Sequence, residues 1–338
     1  MICQLTRSRS RYFCFGLWLI DLRTLHPPLD KLLASSPSPP SLGPLKSYPY
    51  LTELTRNPPE TRSPIEKNWM LFFPSNGEAY IHYDLPYLLG SPKNKTEKMS
   101  RQRHGRTFAK LIGNGLTTPN LTDPAEQSCL RTLTAAEEPD VRKRGGRWHQ
   151  ATNAIRLILC NRSEPSCREK KNGANSVFLG LVHRKFENQL ELPMRYERLF
   201  MAWQSVPPFR VVGMSKHPLL FANETAQGWT ESQGWDDDGE NRKVVERVKG
   251  KGNATEPYGG KGYWAYFTYT VSMSYAWGRP ARPGRKGGDE SEDMHVGYLD
   301  DEVVLAVGVD DEGGVFGRVK ARELVQCMEP CPGKMDEE

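Results

Sequence analysis

The sequence predicts an all-β protein in which antiparallel strands are interrupted by long loop insertions. Glycine (30) and proline (26) are abundant among the 338 residues, and 10% of the residues are aromatic. This composition favours short strands and turns over long helices. Short apolar runs recur along the chain, whereas no strand–helix alternation and no long helical periodicity are present. These patterns exclude a doubly wound α/β fold.

The predicted strands follow the apolar runs in chain order. The first covers residues 13–22 and leads into a proline-rich segment, 23–65. Residues 69–73 and 79–83 form a hairpin across the turn at 74–78. The later strands are 154–160, 176–182, 198–203, 209–214, 263–275, and a hairpin from 297–309 to 315–319. Short helices are expected near residue 135 and at 321–328, and residues 230–262 and 278–294 are predicted to be exposed, charged loops.

Several strands are apolar on both faces, which predicts stacked sheets. The clearest runs are 155–159, 177–182 and 303–309. Antiparallel strands with both faces covered occur in propeller blades and in sandwiches with a covering layer. We therefore divide the chain into an N-terminal strand with the proline-rich segment (1–60), one large propeller-like domain (61–330) and an acidic tail (331–338).

The charge pattern bears on the class of partner. A net charge of +5, from 46 basic and 41 acidic residues, indicates no dedicated polyanion partner. Basic stretches at 95–106, 142–147 and 279–285 lack interleaved aromatic residues, so we predict no nucleic-acid binding.

Cysteines and glycosylation motifs favour the secretory pathway, either the Golgi or the extracellular space. Among the seven cysteines, two pairs are spaced for local disulfides: Cys160 with Cys167, and Cys327 with Cys331. Cytosolic free thiols are the alternative. Cysteine and histidine spacings fit no metal site. Five Asn-x-Ser/Thr motifs predict N-glycosylation, and they begin at Asn94, Asn120, Asn161, Asn223 and Asn253.

No signal peptide is visible at the N-terminus. The apolar run at 12–20 is too short to span a membrane and has no clear cleavage site. We therefore expect membrane association only through an N-terminal anchor that this sequence lacks.

Three polar clusters at strand ends are candidates for chemistry. Glu66, Lys67 and Asn68 precede an apolar strand, and such a group can bind sugar hydroxyls or a phosphate. His183 and Arg184 end another strand and suit an anionic ligand. The third cluster is acidic and comprises Asp300, Asp301 and Glu302, and glycosidic chemistry uses one or two carboxylates. Each cluster also has a purely structural interpretation, as a salt-bridged or solvated strand end.

Aromatic residues at 264–277 are a fourth candidate. Trp264, Tyr266, Phe267, Tyr269, Tyr275 and Trp277 could stack on sugar rings or fill a core. The nucleotide-binding loops, the serine-nucleophile elbow and the EF-hand spacing are absent from the sequence, so no cofactor is expected.

Several segments resemble β-mannoside phosphorylases and related mannosyltransferases. These are Glu66 to Phe72, Ser176 to His183, Met214 to Leu220, Thr268 to Ala276 and Tyr298 to Ala306, in the same order as in that family. The chain also looks like fungal secretory proteins built on this pattern. The resemblance implies an incomplete five-bladed β-propeller that acts on β-mannosides, with an oligosaccharide, sugar nucleotide or sugar phosphate as substrate.

The resemblance also implies roles for individual residues. Asp301 would be the catalytic residue, and the substrate would be bound by Glu66, Lys67, Asn68, His183, Arg184 and Asp300. The family carries a Glu-Asp-Pro-Arg-like segment upstream, and residues 1–65 contain none. Two hypotheses follow: a mannose-type glycosyltransferase or phosphorylase-like enzyme, and a non-catalytic propeller fragment that binds glycans or a protein.

Overall fold

The structure is predominantly β with antiparallel sheets, as the sequence predicts. It is a computed structural model that describes residues 2–7, 10–34, 48–62, 66–74, 76–84, 106–124, 126, 129, 147–170, 172–186, 195–221, 268–276, 296–309 and 312–331. Within these residues no barrel or propeller closes. The predicted glycosylation sites Asn94, Asn223 and Asn253, the helix near residue 135 and the tail at 332–338 lie outside the described residues.

The described residues up to Thr122 form one compact unit. Its strands are β1 (Ile2–Arg7), β2 (Ser10–Phe15), β3 (Trp18–Leu19), β4 (Thr52–Glu53), β5 (Met70–Phe72), β6 (Tyr80–Asp84) and β7 (Thr107–Lys110), and its helices are α1 (Leu22–Leu25) and α2 (Pro27–Ala34). Strands β5, β6 and β7 pair in that order as an antiparallel sheet, which confirms the predicted hairpin. Ile81, Ala109 and Leu111 lie at the centre of the unit's core.

The predicted first strand, 13–22, was too long. The extended chain ends at Leu19, and α1 begins at Leu22. The side chain of Asp21 accepts a hydrogen bond from the Arg23 amide at 2.9 Å and caps the helix. This cap favours a helix at a position where the apolar run alone predicts a strand.

The described residues from Asp123 onward form the second unit. Its strands are β8 (Arg147–Gln150), β9 (Ile155–Ile158), β10 (Ser176–Phe186), β11 (Arg195–Gln204), β12 (Val211–Ser215), β13 (Thr268–Tyr275), β14 (Val296–Tyr298), β15 (Glu302–Val309), β16 (Gly313–Lys320) and β17 (Met328–Pro330). The large sheet has the order β14-β9-β10-β11-β12-β17, with β8 also paired to β10, and the small sheet has the order β13-β15-β16. Helix α3 (Ala321–Gln326) confirms the predicted terminal helix. None of the helices in the described part of the chain could cross a membrane.

The two sheets of the second unit pack face to face through one apolar core. Leu179 and Leu181 of β10 and Val303 and Leu305 of β15 belong to this core. Burial of each such side chain contributes roughly 1.5–3 kcal/mol. Strand β10 is buried on both faces, as predicted, because Phe178 and Val182 are also buried.

Strand β15 departs from the prediction that both its faces are covered. Val303, Leu305 and Val307 are buried, whereas the alternate residues are only half-buried. These alternate residues point away from the large sheet. Phe316, which pairs with Ala306 on the neighbouring strand, is 78% exposed.

Two disulfides are present among the described cysteines. The Cys160–Cys167 bond is confirmed. The predicted Cys327–Cys331 bond is wrong, because Cys331 bonds to Cys129 and Cys327 is an exposed free thiol. Strand β17 keeps Cys327 and Cys331 apart, since four extended residues span about 13 Å. A disulfide requires Cα atoms within about 7 Å.

Candidate functional site

The core of the second unit becomes polar at one end, at His183. Strand β10 alternates, so His183 lies on the same face as Leu179 and Leu181. Its cross-strand partners are His149 on β8 and Arg198 on β11. The facing sheet contributes Thr270, whose backbone N–H donates to His183 Nε2 at 3.4 Å. His183 therefore lies between the two sheets.

Four rings meet at this end, and we call them the ring cluster: His149, His183, Tyr196 and Tyr269. The His183 ring centroid is 4.5 Å from that of Tyr269, 5.3 Å from that of Tyr196 and 5.6 Å from that of His149. The two tyrosine rings are 5.1 Å apart. His183 is fully buried, whereas the other three residues are half-buried. The cluster thus extends from the core to the surface.

The hydrogen bond to His183 fixes its tautomer. Because Nε2 accepts from Thr270, neutral His183 carries its proton on Nδ1. This buried N–H group has no hydrogen-bond partner among the described residues. A buried donor without a partner costs about 1–3 kcal/mol, so it is a candidate contact for a ligand.

Burial also determines the protonation states of His183 and Tyr269. Desolvation lowers the pKa of His183 well below its usual value, and the nearby His149 and Arg198 lower it further. Burial, followed by the neighbouring Tyr196, raises the pKa of Tyr269 to about 12. At neutral pH His183 is therefore uncharged and Tyr269 remains a phenol that can donate a hydrogen bond.

The structure separates Arg184 from His183, although the two residues are adjacent in sequence. Consecutive strand residues point to opposite faces. Arg184 is buried on the other face, where its Nε donates to Glu197 Oε2 at 2.8 Å. Its guanidinium carbon lies 5.6 Å from the ring centroid of Trp148. Arg184 therefore belongs to a buried ion pair outside the ring cluster.

The acidic cluster binds the loop that the Cys160–Cys167 disulfide closes, which contains Arg162 and which we call the disulfide loop. Asp301 is buried and accepts from Arg162 Nε and Nη2, both at 2.8 Å, and from the Tyr298 amide at 2.9 Å. Asp300 accepts from the Arg162 amide at 2.6 Å and from the Ser163 amide at 3.2 Å. Burial opposes the ionisation of Asp300, but these N–H groups outweigh it and lower its pKa.

The acidic cluster and the ring cluster lie at opposite ends of β15. Asp301 directly precedes the first residue of this strand, whereas Tyr269 pairs with Gly308 near its other end. Glu302 and Gly308 are six positions apart along this extended strand, a span of about 20 Å. The structure therefore does not bring Asp301 and His183 to one site.

Glu66, Lys67 and Asn68 lie in the first unit. Glu66 is buried, pairs with Arg56 at 2.7 Å and accepts from Trp69 Nε1 at 3.1 Å. Lys67 is exposed, and Asn68 has a φ of 60°. Glu66 thus has a structural partner, while the sugar-binding roles of these three residues stay predictions.

Neither Tyr196 nor His149 is among the residues for which the sequence analysis predicts a role. Tyr196 precedes the predicted strand at 198–203, but β11 begins earlier, at Arg195. Period-two spacing from Arg198 back to Tyr196 is the signal that places both on one face.

The described residues contain no group of three or more His, Cys, Asp or Glu side chains that could hold a metal ion. No protein-family model, no curated protein and no solved structure matches this chain. The ring cluster combines aromatic faces with a buried donor, which are kinds of groups that line small-molecule sites.

Proposed function

We propose that this protein is carbohydrate-active and binds a glycan at the ring cluster. The observation that supports this proposal is the packing of three half-buried rings on the ring of His183, whose Nδ1 is buried and has no partner among the described residues. The C–H face of a sugar ring can pack on aromatic rings, and its hydroxyls can bond to phenol and imidazole groups. Such a combination suits a sugar better than a purely apolar ligand.

The proposed ligand is a β-mannoside. His183 is the cluster member that matches the mannoside-acting family, and an oligosaccharide, sugar nucleotide or sugar phosphate is the expected form of the ligand. The five-bladed propeller implied by that resemblance is part of this proposal. The described sheets are mostly antiparallel, with one parallel pair between β9 and β14, and none of them closes into a propeller. Two disulfides support passage through an oxidising compartment, and hence the secretory pathway.

The geometry favours binding over turnover. Enzymes that cleave glycosidic bonds canonically place carboxylates at the sugar. Asp301 is bonded to Arg162 about 20 Å along β15 from the ring cluster. We therefore prefer the non-catalytic glycan-binding hypothesis to the mannose-type transferase or phosphorylase.

Calorimetry with β-1,4-mannobiose and GDP-mannose tests the proposal. Tyr196→Ala and Tyr269→Leu each remove one ring, and we expect each to weaken binding about tenfold, which corresponds to about 1.4 kcal/mol. Tyr50→Ala is the matched control, because Tyr50 is 80% exposed and lies in the first unit. Circular dichroism checks that each variant is folded. Absence of binding to both ligands, or unchanged affinity in both ring variants, would refute the proposal.

A further inference from the structure

Asn120 lies in a motif for N-linked glycosylation and is presented on a well-anchored surface loop. The motif is Asn120-Leu121-Thr122, and both Asn120 and Leu121 are exposed. The Leu121 amide donates to the Phe108 carbonyl at 3.0 Å, and the Phe108 amide donates to Thr122 Oγ1 at 3.3 Å. These bonds hold the loop against β7.

The side chain of Asn120 leaves its amide nitrogen available. Its Oδ1 accepts from the Thr122 amide at 2.9 Å. Its Nδ2 donates to no group in the described part of the chain. A glycan attached to Nδ2 would therefore extend into solvent without breaking a contact seen here.

Asn161 lies in a second motif, Asn161-Arg162-Ser163, whose polar groups are already engaged. Asn161 Nδ2 donates to Glu164, and Asn161 Oδ1 accepts from Arg322 on α3. Arg162 is buried in its ion pair with Asp301. The amide of Ser163 donates to Asp300 at 3.2 Å. The Cys160–Cys167 disulfide closes this loop and limits its freedom to rearrange.

A glycan on Asn161 would disturb this arrangement. It would replace one N–H hydrogen of Nδ2 and would have to fit beside Glu164 and Arg322, on a side chain that is only half-exposed. The motif at Asn161 thus serves the fold by joining the disulfide loop to α3.

We propose that Asn120 is a glycosylation site and that Asn161 remains unmodified. The donor is a lipid-diphosphate-linked oligosaccharide. Nδ2 of Asn120 forms a bond to the anomeric carbon as the bond from that carbon to the phosphate oxygen breaks. The lipid diphosphate leaves with the electron pair, and one amide proton passes to a base. This proposal requires secretory passage but does not depend on glycan binding at the ring cluster.

Peptide mapping of the full chain, secreted from a yeast host behind a heterologous leader, tests this proposal. Treatment with a peptide N-glycosidase in ¹⁸O-labelled water converts each glycosylated asparagine into labelled aspartate. We expect label at position 120 and unlabelled asparagine at position 161. Asn120→Gln should remove one glycan from the intact mass, whereas Asn161→Gln should leave the number of glycans unchanged.

Asn76→Gln is the matched control, because Asn76 is exposed and lies outside any glycosylation motif. Its glycan number should equal that of the unaltered chain. An unlabelled position 120 in the secreted chain would overturn the proposal, and so would label at position 161.

Discussion

At the scale of single residues, buried polar side chains distinguish the candidate site from the structural clusters. Arg184, Glu66 and Asp301 each have a buried partner of opposite charge. His183 is buried as well, but its Nδ1 has no partner among the described residues. Charged residues that the sequence analysis placed at strand ends therefore belong to structural ion pairs, and Arg184 in fact lies within β10. The unsatisfied neutral donor of His183 identifies the candidate site instead.

His183 should make the stability of the second unit depend on pH. Burial lowers its pKa in the folded state, so protons bind more readily to the unfolded chain. The free energy of unfolding is unaffected by this group above the unfolded pKa of about 6.5. Below that pH it decreases, by at most ~1.4 kcal/mol per pH unit. Denaturant unfolding between pH 8 and pH 5 should show a shallower acid slope for His183→Gln than for the unaltered chain.

His217→Gln provides the control for this measurement, because His217 is exposed. Its acid slope should match that of the unaltered chain. The readout is the slope, so a uniform loss of stability in His183→Gln does not affect the comparison. Equal slopes for His183→Gln and the unaltered chain would contradict the assignment of His183 as a buried neutral group.

Asp301 should matter for stability more than for sugar binding. Asp301→Asn leaves the Arg162 guanidinium buried without its countercharge, which costs about 3–5 kcal/mol. Asp123→Asn is the matched control, because it removes a more exposed pair with Arg210, worth about 0–1 kcal/mol. For Asp301→Asn, unfolding midpoints should show a large loss of stability, and calorimetry should show unchanged affinity for mannobiose. A loss of affinity without a loss of stability would instead support the catalytic hypothesis for Asp301.

At the scale of elements, the local sequence pattern was sufficient to predict several strands. The candidate site could not be predicted in this way, because it depends on contacts between residues far apart in sequence. Apolar runs predicted β9, β10, β12 and the β15–β16 hairpin, because a strand's character is set by neighbouring residues. They could not predict that Tyr269 of β13 would pack on His183 of β10, since this contact depends on the packing of two sheets. The Cys129–Cys331 bond, with a sequence separation of 202 residues, was missed for the same reason.

The two disulfides should contribute unequally to stability. Cys331→Ser opens a loop with a separation of 202 residues and is expected to cost about 2–5 kcal/mol. Cys160→Ser opens a loop with a separation of only 7 residues, so its loss of chain entropy is smaller. Cys327→Ser is the control, because this exposed thiol forms no disulfide. Urea unfolding should show the largest loss of stability for Cys331→Ser, a smaller loss for Cys160→Ser and none for Cys327→Ser. A loss in Cys327→Ser equal to that in Cys331→Ser would contradict the Cys129–Cys331 pairing.

At the scale of the whole molecule, each compact unit has its own core, and the ring cluster belongs entirely to the second. Ile81 lies in the core of the first unit, and Leu181 lies in the core of the second, two residues before His183 on β10. Both side chains are fully buried. Truncation of either to alanine should cost about 2–5 kcal/mol. The two variants should differ in sugar binding, because only Leu181 supports the strand that positions His183.

We compare the two variants by mannobiose calorimetry at 10 °C. Hydrogen exchange first checks that each variant retains its protected strands. Leu181→Ala should weaken binding severalfold, since the cavity loosens β10 directly below His183. Ile81→Ala should leave the affinity unchanged while its own unit exchanges faster. An equal loss of affinity in both variants would contradict the assignment of the glycan site to the second unit.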